Sequence, residues 1–125
     1  MLGEMNMSKS FLVNCSWGDD NPERATVAFI VASAAAASND DVAVFLTIEG
    51  ARLATKGYAE KIRTEGYKPL SEFLSAFREA GGKLWVCGAC AGARGITAEH
   101  LIEGAAITGA ATVIGHIGNG AAVLM

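Results

Sequence analysis

The chain has 125 residues, of which 51% are apolar and 18% charged, and its formal net charge at pH 7 is −3. A chain of this length forms one domain with a core of its own, and this composition excludes an intrinsically disordered protein. The absence of a basic block argues against nucleic acid or an anionic membrane as the main partner. The sequence also contains no apolar run of the kind that spans a membrane.

The N-terminal residues and the cysteine count indicate where the protein works. The first residues lack the basic and apolar regions of a signal peptide. Three cysteines are a poor disulfide framework, and they are compatible with reduced, reactive or metal-bound thiols. We therefore expect a cytoplasmic protein, with residues 1–9 as a flexible leader and residues 10–125 as a single domain.

The first half of the chain predicts two strands with a helix between them. Residues 10–15 form a short apolar strand, and residues 22–37 form a helix that begins with a proline and is apolar almost all round. Residues 41–48 are a near-continuous apolar run, which is typical of a strand buried on both faces of a sheet. A short helical piece through Ala54 follows, and the polar stretch 56–68 is expected to be a solvated surface loop.

The second half predicts three helices and two more strands. An amphipathic helix opens at Pro69 and ends at Gly81-Gly82, and residues 83–87 form the third strand. We expect a helix over residues 97–106 after the two cysteines of this half. Residues 109–117 predict a short helix, and residues 121–125 a final strand after a turn at 118–120.

The alternation of strands and helices predicts an α/β fold. It implies a mostly parallel sheet of about four to five strands with helices on both faces, a three-layer sandwich with flavodoxin- or Rossmann-like topology. Parallel strands deliver their carboxyl ends to one edge, where ligands gather. Cys15, Glu49 and Cys87 come at or just after strand ends, so we expect them, with Trp17, to share one rim.

The segment after the third strand carries most of the chemistry. Cys87 and Cys90 are spaced C-x-x-C, and a thiol reacts only as its thiolate, so it needs local help. Arg94 offers a positive charge, and the helix expected after Gly95 offers its dipole. Open backbone N–H groups are expected to form an anion-binding loop at Gly88, Ala89, Ala91, Gly92 and Gly95.

The cysteine pair is also compatible with roles that involve no reactive thiol. It resembles a thioredoxin motif, but no proline lies downstream and no helix is expected directly after it, so we reject that fold. Cys87 and Cys90 have half the spacing of a zinc site, which Cys15, His100 or His116 would have to complete. Small buried hydrophobic cysteines are the plainest alternative, above all for Cys15. A phosphate loop is the weakest, because the glycines are loosely spaced and no lysine follows them.

The cysteine segment resembles the DsrE/DsrF-like family of small sulfur-relay proteins, which includes the TusD and YchN types. The resemblance rests on Val86 to Cys90 and on Ala93 to Ile96, with support from residues 57–70, 81–83, 103–105 and 109–110. It implies a parallel sheet between helices and assembly into homo-oligomers, often trimers or hexamers. It further implies that Cys87 carries a persulfide passed between donor and acceptor proteins, while the pairing with Cys90 looks like the YchN type.

We therefore expect a sulfur-handling protein, a sulfur carrier or a sulfurtransferase, that uses no cofactor. Cys87 is the expected carrier, Cys90 a resolving or second carrier thiol, and Arg94 the group that stabilises thiolate or persulfide. The alternatives are an oligomeric module whose cysteine pair is structural or binds zinc, and a small-ligand binder at the same rim.

Overall fold

The computed structural model describes residues 9–38 and 40–125, so all but the last residue of the expected leader lies outside the described residues. Five strands and four helices follow one another along this part of the chain. The strands are β1 (Ser10–Cys15), β2 (Asp41–Leu46), β3 (Lys83–Cys87), β4 (Ala105–Thr108) and β5 (Ala122–Leu124). The helices are α1 (Pro22–Ala37), α2 (Leu70–Glu79), α3 (Gly88–Ala93) and α4 (Ala110–Gly118). Three 3₁₀ segments lie between them, at Ile48–Ala54, Ala59–Lys61 and Ala98–His100.

The strands form one sheet in the order β4-β3-β2-β1-β5, and every pair is parallel. This confirms the predicted α/β fold. The chain moves in one direction from β1 to β4 and then crosses back to place β5 on the other side of β1. Because parallel crossovers are right-handed, this reversal puts α4 on the opposite face of the sheet from α1 and α2.

The two faces of the sheet are covered unequally. On one face α1 and α2 pack together over the main core, where Phe29 meets Phe77 edge to face with ring centroids 5.9 Å apart. On the other face Val113 of α4 packs over Leu12 and Ala43. Phe45 and Trp85 lie at the margin of this second core and are only half-buried.

Sequence patterns predict the ends of several elements well. The predicted first and third strands agree with β1 and β3, and α1 starts at Pro22 with Asn21 as its cap, whose side chain accepts the Arg24 N–H. The second strand stops at Leu46 instead of residue 48, because Ile48 takes a positive φ of 54° and opens a 3₁₀ turn.

The helix predicted over residues 97–106 is wrong. A single 3₁₀ turn stands at its start, and β4 begins within its last residues. Gly104, with a φ of 90°, turns the chain so that the next residues pair with β3, from Leu84↔Ala105 to Cys87↔Thr108. The strand is stabilised by a neighbour distant in sequence, which local periodicity does not report.

The polar stretch 56–68 is only partly the solvated loop that its composition predicts. Ala59 and Ile62 are buried in the main core. Its start is also tied to the segment after α3, since the Lys56 N–H donates to the carbonyl of His100 and Thr55 bridges to Leu101. Within the described residues, no helix is long and apolar enough to cross a membrane.

Candidate functional site

The carboxyl ends of the strands bring the predicted rim residues to one edge of the sheet. Cys15 ends β1, Cys87 ends β3, and Glu49 lies in the 3₁₀ segment that follows β2. Side chains alternate between the two faces along a strand. Cys15 therefore lies on the α1 face, in the main core, whereas Cys87 is on the same face as Trp85.

The backbone around Cys87 favours its thiolate. Partial burial raises the pKa of this thiol, but hydrogen bonds from the Cys90 N–H, the Cys90 thiol and the Ala89 N–H outweigh it, so that the pKa lies below its usual value. Cys87 is half-buried and remains accessible from solvent. This combination of access and thiolate stabilisation is typical of reactive cysteines.

The cysteine pair opens directly into a helix, contrary to the prediction. Cys87 is the residue before α3, which runs from Gly88 to Ala93, and Cys90 lies in the first turn of that helix. The sequence predicts a helix only from near Thr97, because glycines are poor helix formers. The sulfur of Cys87 is consequently placed against the first N–H groups of α3, which have no partner within the helix.

The other residues of the predicted anion-binding loop have separate roles. Ala91 is buried, and its carbonyl accepts the N–H groups of Arg94 and Ile96. Gly92 accepts the N–H of Gly95, which takes a φ of 68° and turns the chain out of α3. Of the predicted loop, Ala89 is the residue whose N–H reaches the Cys87 sulfur.

Arg94 is held by a carboxylate. Its Nε donates to Glu49 Oε1 at 3.0 Å, and its Nη1 donates to the carbonyl of Cys90 at 3.3 Å. The other oxygen of Glu49 accepts Arg52 Nε at 2.8 Å. The Arg94 guanidinium, with Arg52 beside it, lowers the pKa of Glu49, so the carboxylate stays charged and joins the two arginines.

Cys15 and Trp17 stand at the same edge in different surroundings. Cys15 is fully buried, and burial raises the pKa of its thiol to about 11. Its Sγ donates to the carbonyl of Trp17 at 3.4 Å. Trp17 is half-buried, with the Arg24 guanidinium 5.0 Å from its ring centroid, an arrangement that stabilises both side chains.

The histidines do not join the cysteines to form a metal site. His100 Nδ1 accepts the Thr97 N–H at 2.9 Å, and His116 Nε2 lies 3.1 Å from the Phe11 carbonyl. The His116 ring also meets Trp85 edge to face, with centroids 5.2 Å apart. Among residues 9–38 and 40–125, no group of three or more His, Cys, Asp or Glu side chains could hold a metal ion.

Sequence reasoning missed the role of Arg52. Its position three residues after Glu49 predicts an ion pair along a helical turn, so the sequence itself contains the pattern that would have identified it. The pairing of Glu49 with Arg94 joins residues that are 45 positions apart in the sequence, and no local pattern reports it.

Comparisons with known proteins agree with the fold. An uncharacterised protein of Methanocaldococcus jannaschii, MJ0760, is 32% identical over 107 residues, which are 86% of this chain and 38% of that protein. The chain thus spans well under half the length of this relative. The crystal structure of the ychN protein from E. coli superposes with a TM-score of 0.77 at 19% identity, covering 93% of this chain and 97% of that one.

A second solved structure gives the same result. The protein of unknown function MTH1491 from Methanobacterium thermoautotrophicum superposes with a TM-score of 0.66 at 16% identity, over 92% of this chain and 98% of that one. At these identities the two structures support the fold. The sequence profile of the DsrE/DsrF-like family matches residues 9–125, and the chain therefore belongs to the DsrE/DsrF-like family.

Proposed function

We propose that this protein carries persulfide sulfur on Cys87. Membership of the DsrE/DsrF-like family suggests a protein of the sulfur-relay type. The observation that carries the proposal is the Cys87 thiol, which is accessible and whose pKa is lowered by the N–H groups of Ala89 and Cys90 and by the Cys90 thiol. The same donors would stabilise the terminal sulfur of a persulfide, which is also an anion at neutral pH.

The transfer step needs no cofactor. The Cys87 thiolate attacks the outer sulfur of a donor persulfide, a new S–S bond forms, the donor's S–S bond breaks, and the donor leaves as its thiolate. Cys90, whose thiol donates to the Cys87 sulfur, would then act in one of two ways. It accepts the outer sulfur as second carrier, or it attacks the inner sulfur, which forms a Cys87–Cys90 disulfide and releases hydrosulfide.

Arg94 would position this pair rather than contact sulfur. Its Nη1 holds the Cys90 carbonyl, and its charge is balanced by Glu49. We assign the N–H groups at the start of α3 to anion stabilisation, and Glu49 to holding Arg94. Because Cys15 is buried with a raised pKa, we leave it out of the transfer.

The test is sulfur loading after exposure to inorganic polysulfide, measured by intact mass. We expect the parent protein to gain one sulfur atom, or to lose two hydrogen atoms where Cys90 has formed the disulfide, and Cys87→Ser to do neither. Cys15→Ser, the matched control, should load like the parent. Full loading of Cys87→Ser would contradict the proposal.

We further propose that the chain forms homo-oligomers through the thinly covered face of its sheet, which is the face on which α4 packs. Four of the seven large hydrophobic residues that are exposed in the described chain lie in α4 and in or after β5: Ile114, Ile117, Val123 and Met125. Such a concentration is typical of an interface, and a second copy of the same patch is the simplest partner. The trimers or hexamers implied by the family resemblance fit this assignment. Donor and acceptor proteins would then bind at the edge of the sheet that carries Cys87.

The compartment follows from the same chemistry. All three cysteines are free, and a persulfide carrier needs its thiols reduced. We therefore place the protein in the cytoplasm.

A further inference from the structure

A second candidate site lies beside the thiol pair. An open cavity of about 380 Å³ is lined by Arg52, Lys56 and Arg94, which carry three formal positive charges. Glu99 is the one carboxylate on the same lining, and neither cysteine of the pair lines it. Glu49 pairs with both arginines and balances one more positive charge, so these side chains together keep a net positive charge, although the whole chain carries −3.

The two guanidinium groups at this cavity are held in place before any ligand arrives. Glu49 accepts the Nε of each arginine, one on each of its oxygens. Within residues 9–38 and 40–125, the Nη atoms of Arg52 donate no hydrogen bond, and Arg94 donates only through Nη1, to Cys90. The planar ends of the guanidiniums are thus available for the paired hydrogen bonds that they form with carboxylate or phosphate oxygens.

Two further donors belong to the same lining. Because the Thr97 N–H donates to His100 Nδ1, the neutral ring carries its proton on Nε2, which makes that nitrogen a donor. Lys56 Nζ donates one hydrogen bond, to the Glu99 carbonyl at 3.1 Å, and an ammonium group has three N–H bonds. Lys56 is thereby kept near the cavity with donors to spare.

We propose that this cavity binds the oxyanion group of a small molecule, a carboxylate or a phosphate. Arg52 and Arg94 would each donate to its oxygens, and Lys56 and His100 would complete the ring of donors. Oxyanion binding at this cavity does not depend on sulfur transfer. It does place the bound molecule one side chain from the reactive pair, since Arg94 also donates to the Cys90 carbonyl.

The test is a titration of the full chain with sodium phosphate and, separately, with sodium acetate, at constant ionic strength. Backbone amide shifts in NMR spectra should saturate at Arg52, Lys56, Gly95 and His100. Saturation by either probe supports the site, and the tighter probe identifies the chemistry of the group. Arg52→Gln should weaken binding about tenfold or more, since hydrogen bonds between charged groups contribute about 1.5–3 kcal/mol.

Matched variants separate this site from general attraction to positive charge. Arg63→Gln removes an exposed arginine outside the cavity and should leave the affinity unchanged. Glu99→Gln removes the one repelling carboxylate and should tighten binding. Lys56→Gln alters an exposed residue and weakens binding even if Arg52→Gln is poorly folded. Shifts that do not saturate with either probe, or an Arg52→Gln protein that binds as tightly as the parent, would overturn the assignment.

Discussion

Two thiols at one edge of the sheet differ in acidity because their surroundings differ. Cys87 has a lowered pKa through three hydrogen bonds, whereas burial raises the pKa of Cys15 to about 11. Cys87 is therefore the more acidic of the two thiols, and Cys15 stays protonated at neutral pH. The difference in pKa comes from hydrogen-bond donors and access to water. It does not come from the charge of Arg94, because that charge is paired with Glu49.

The Cys90 thiol is one of the groups that make Cys87 acidic. Cys90→Ala removes that donor but keeps the N–H groups of residues 89 and 90. We expect the pH midpoint for alkylation of Cys87 to rise, so that its rate at neutral pH falls without vanishing. Site-resolved mass spectrometry after iodoacetamide pulses at a series of pH values measures this. An unchanged midpoint would show that the backbone alone sets the acidity.

The buried thiol makes stability depend on pH under alkaline conditions. The pKa of Cys15 rises from 9.0 to about 11 on folding, so the unfolded chain loses this proton first and the contribution to stability disappears between those values. At about 1.36 kcal/mol per pH unit, the free energy of unfolding should fall by roughly 2–3 kcal/mol more in the parent than in Cys15→Ala. Urea unfolding of both proteins at pH 8.5 and pH 11 checks this, and equal losses would contradict it.

At the scale of elements, two connections build the site. The short helix α3 supplies the N–H groups that face Cys87. The 3₁₀ segment after β2 supplies Glu49 and Arg52, and its Gly50 packs so closely against β1 that a Cβ there would overlap the Cys15 carbonyl. The position of Glu49 and Arg52 therefore depends on the absence of a side chain at Gly50.

Two glycine substitutions should change stability in opposite directions. Gly50→Ala forces β1 and the 3₁₀ segment apart and disturbs the bond from the Thr47 N–H to the Cys15 carbonyl, so we expect a loss of about 1–3 kcal/mol. In Gly92→Ala the new Cβ meets open space within α3, and the better helix propensity of alanine should add about 0.5–1 kcal/mol. Chemical denaturation measures both, and a destabilised Gly92→Ala protein would show that α3 needs its flexibility.

At the scale of the whole molecule, the strand order determines which face is left open. Three crossovers run in one direction and only the last returns, so among the described residues α4 is the single long element that covers the second face. Exposed apolar side chains of α4 and β5 lie on this side of the sheet, among them Ile114 and Val123. The proposed persulfide site and the proposed interface are therefore two consequences of one topology.

A charge on the thinly covered face should break the oligomer without unfolding the chain. Ile114 is 68% exposed, so Ile114→Lys removes little packing within one copy but places a charge in the proposed interface. We expect a fall to monomer mass in analytical ultracentrifugation and an unchanged circular dichroism spectrum. Lys61→Asp, an exposed change within residues 59–61, should leave the parent mass unaltered. A monomeric parent protein would contradict the proposal directly.

Much of this architecture follows from sequence patterns, and the exceptions have physical causes. The observed ends of β1, α1 and β3 agree with the prediction because apolar runs and a proline at the first position of a helix act locally. Sequence patterns miss β4 because its pairing with β3 is a tertiary contact, and α3 because glycines 88 and 92 argue against a helix. At the site, spacing predicts the cysteines, whereas the Glu49 link between two arginines depends on folding.

The burial of Cys15 gives the protein an internal reporter of its own opening. A reagent in solution reaches this sulfur only when the structure around it opens, since the side chain is fully covered in the closed state. With Cys87 and Cys90 first blocked, the labelling rate of Cys15 divided by that of an unfolded chain equals the open fraction, provided closing is faster than labelling. The cysteine that we leave out of sulfur transfer can thus measure how often the structure around it opens once the outer pair is blocked.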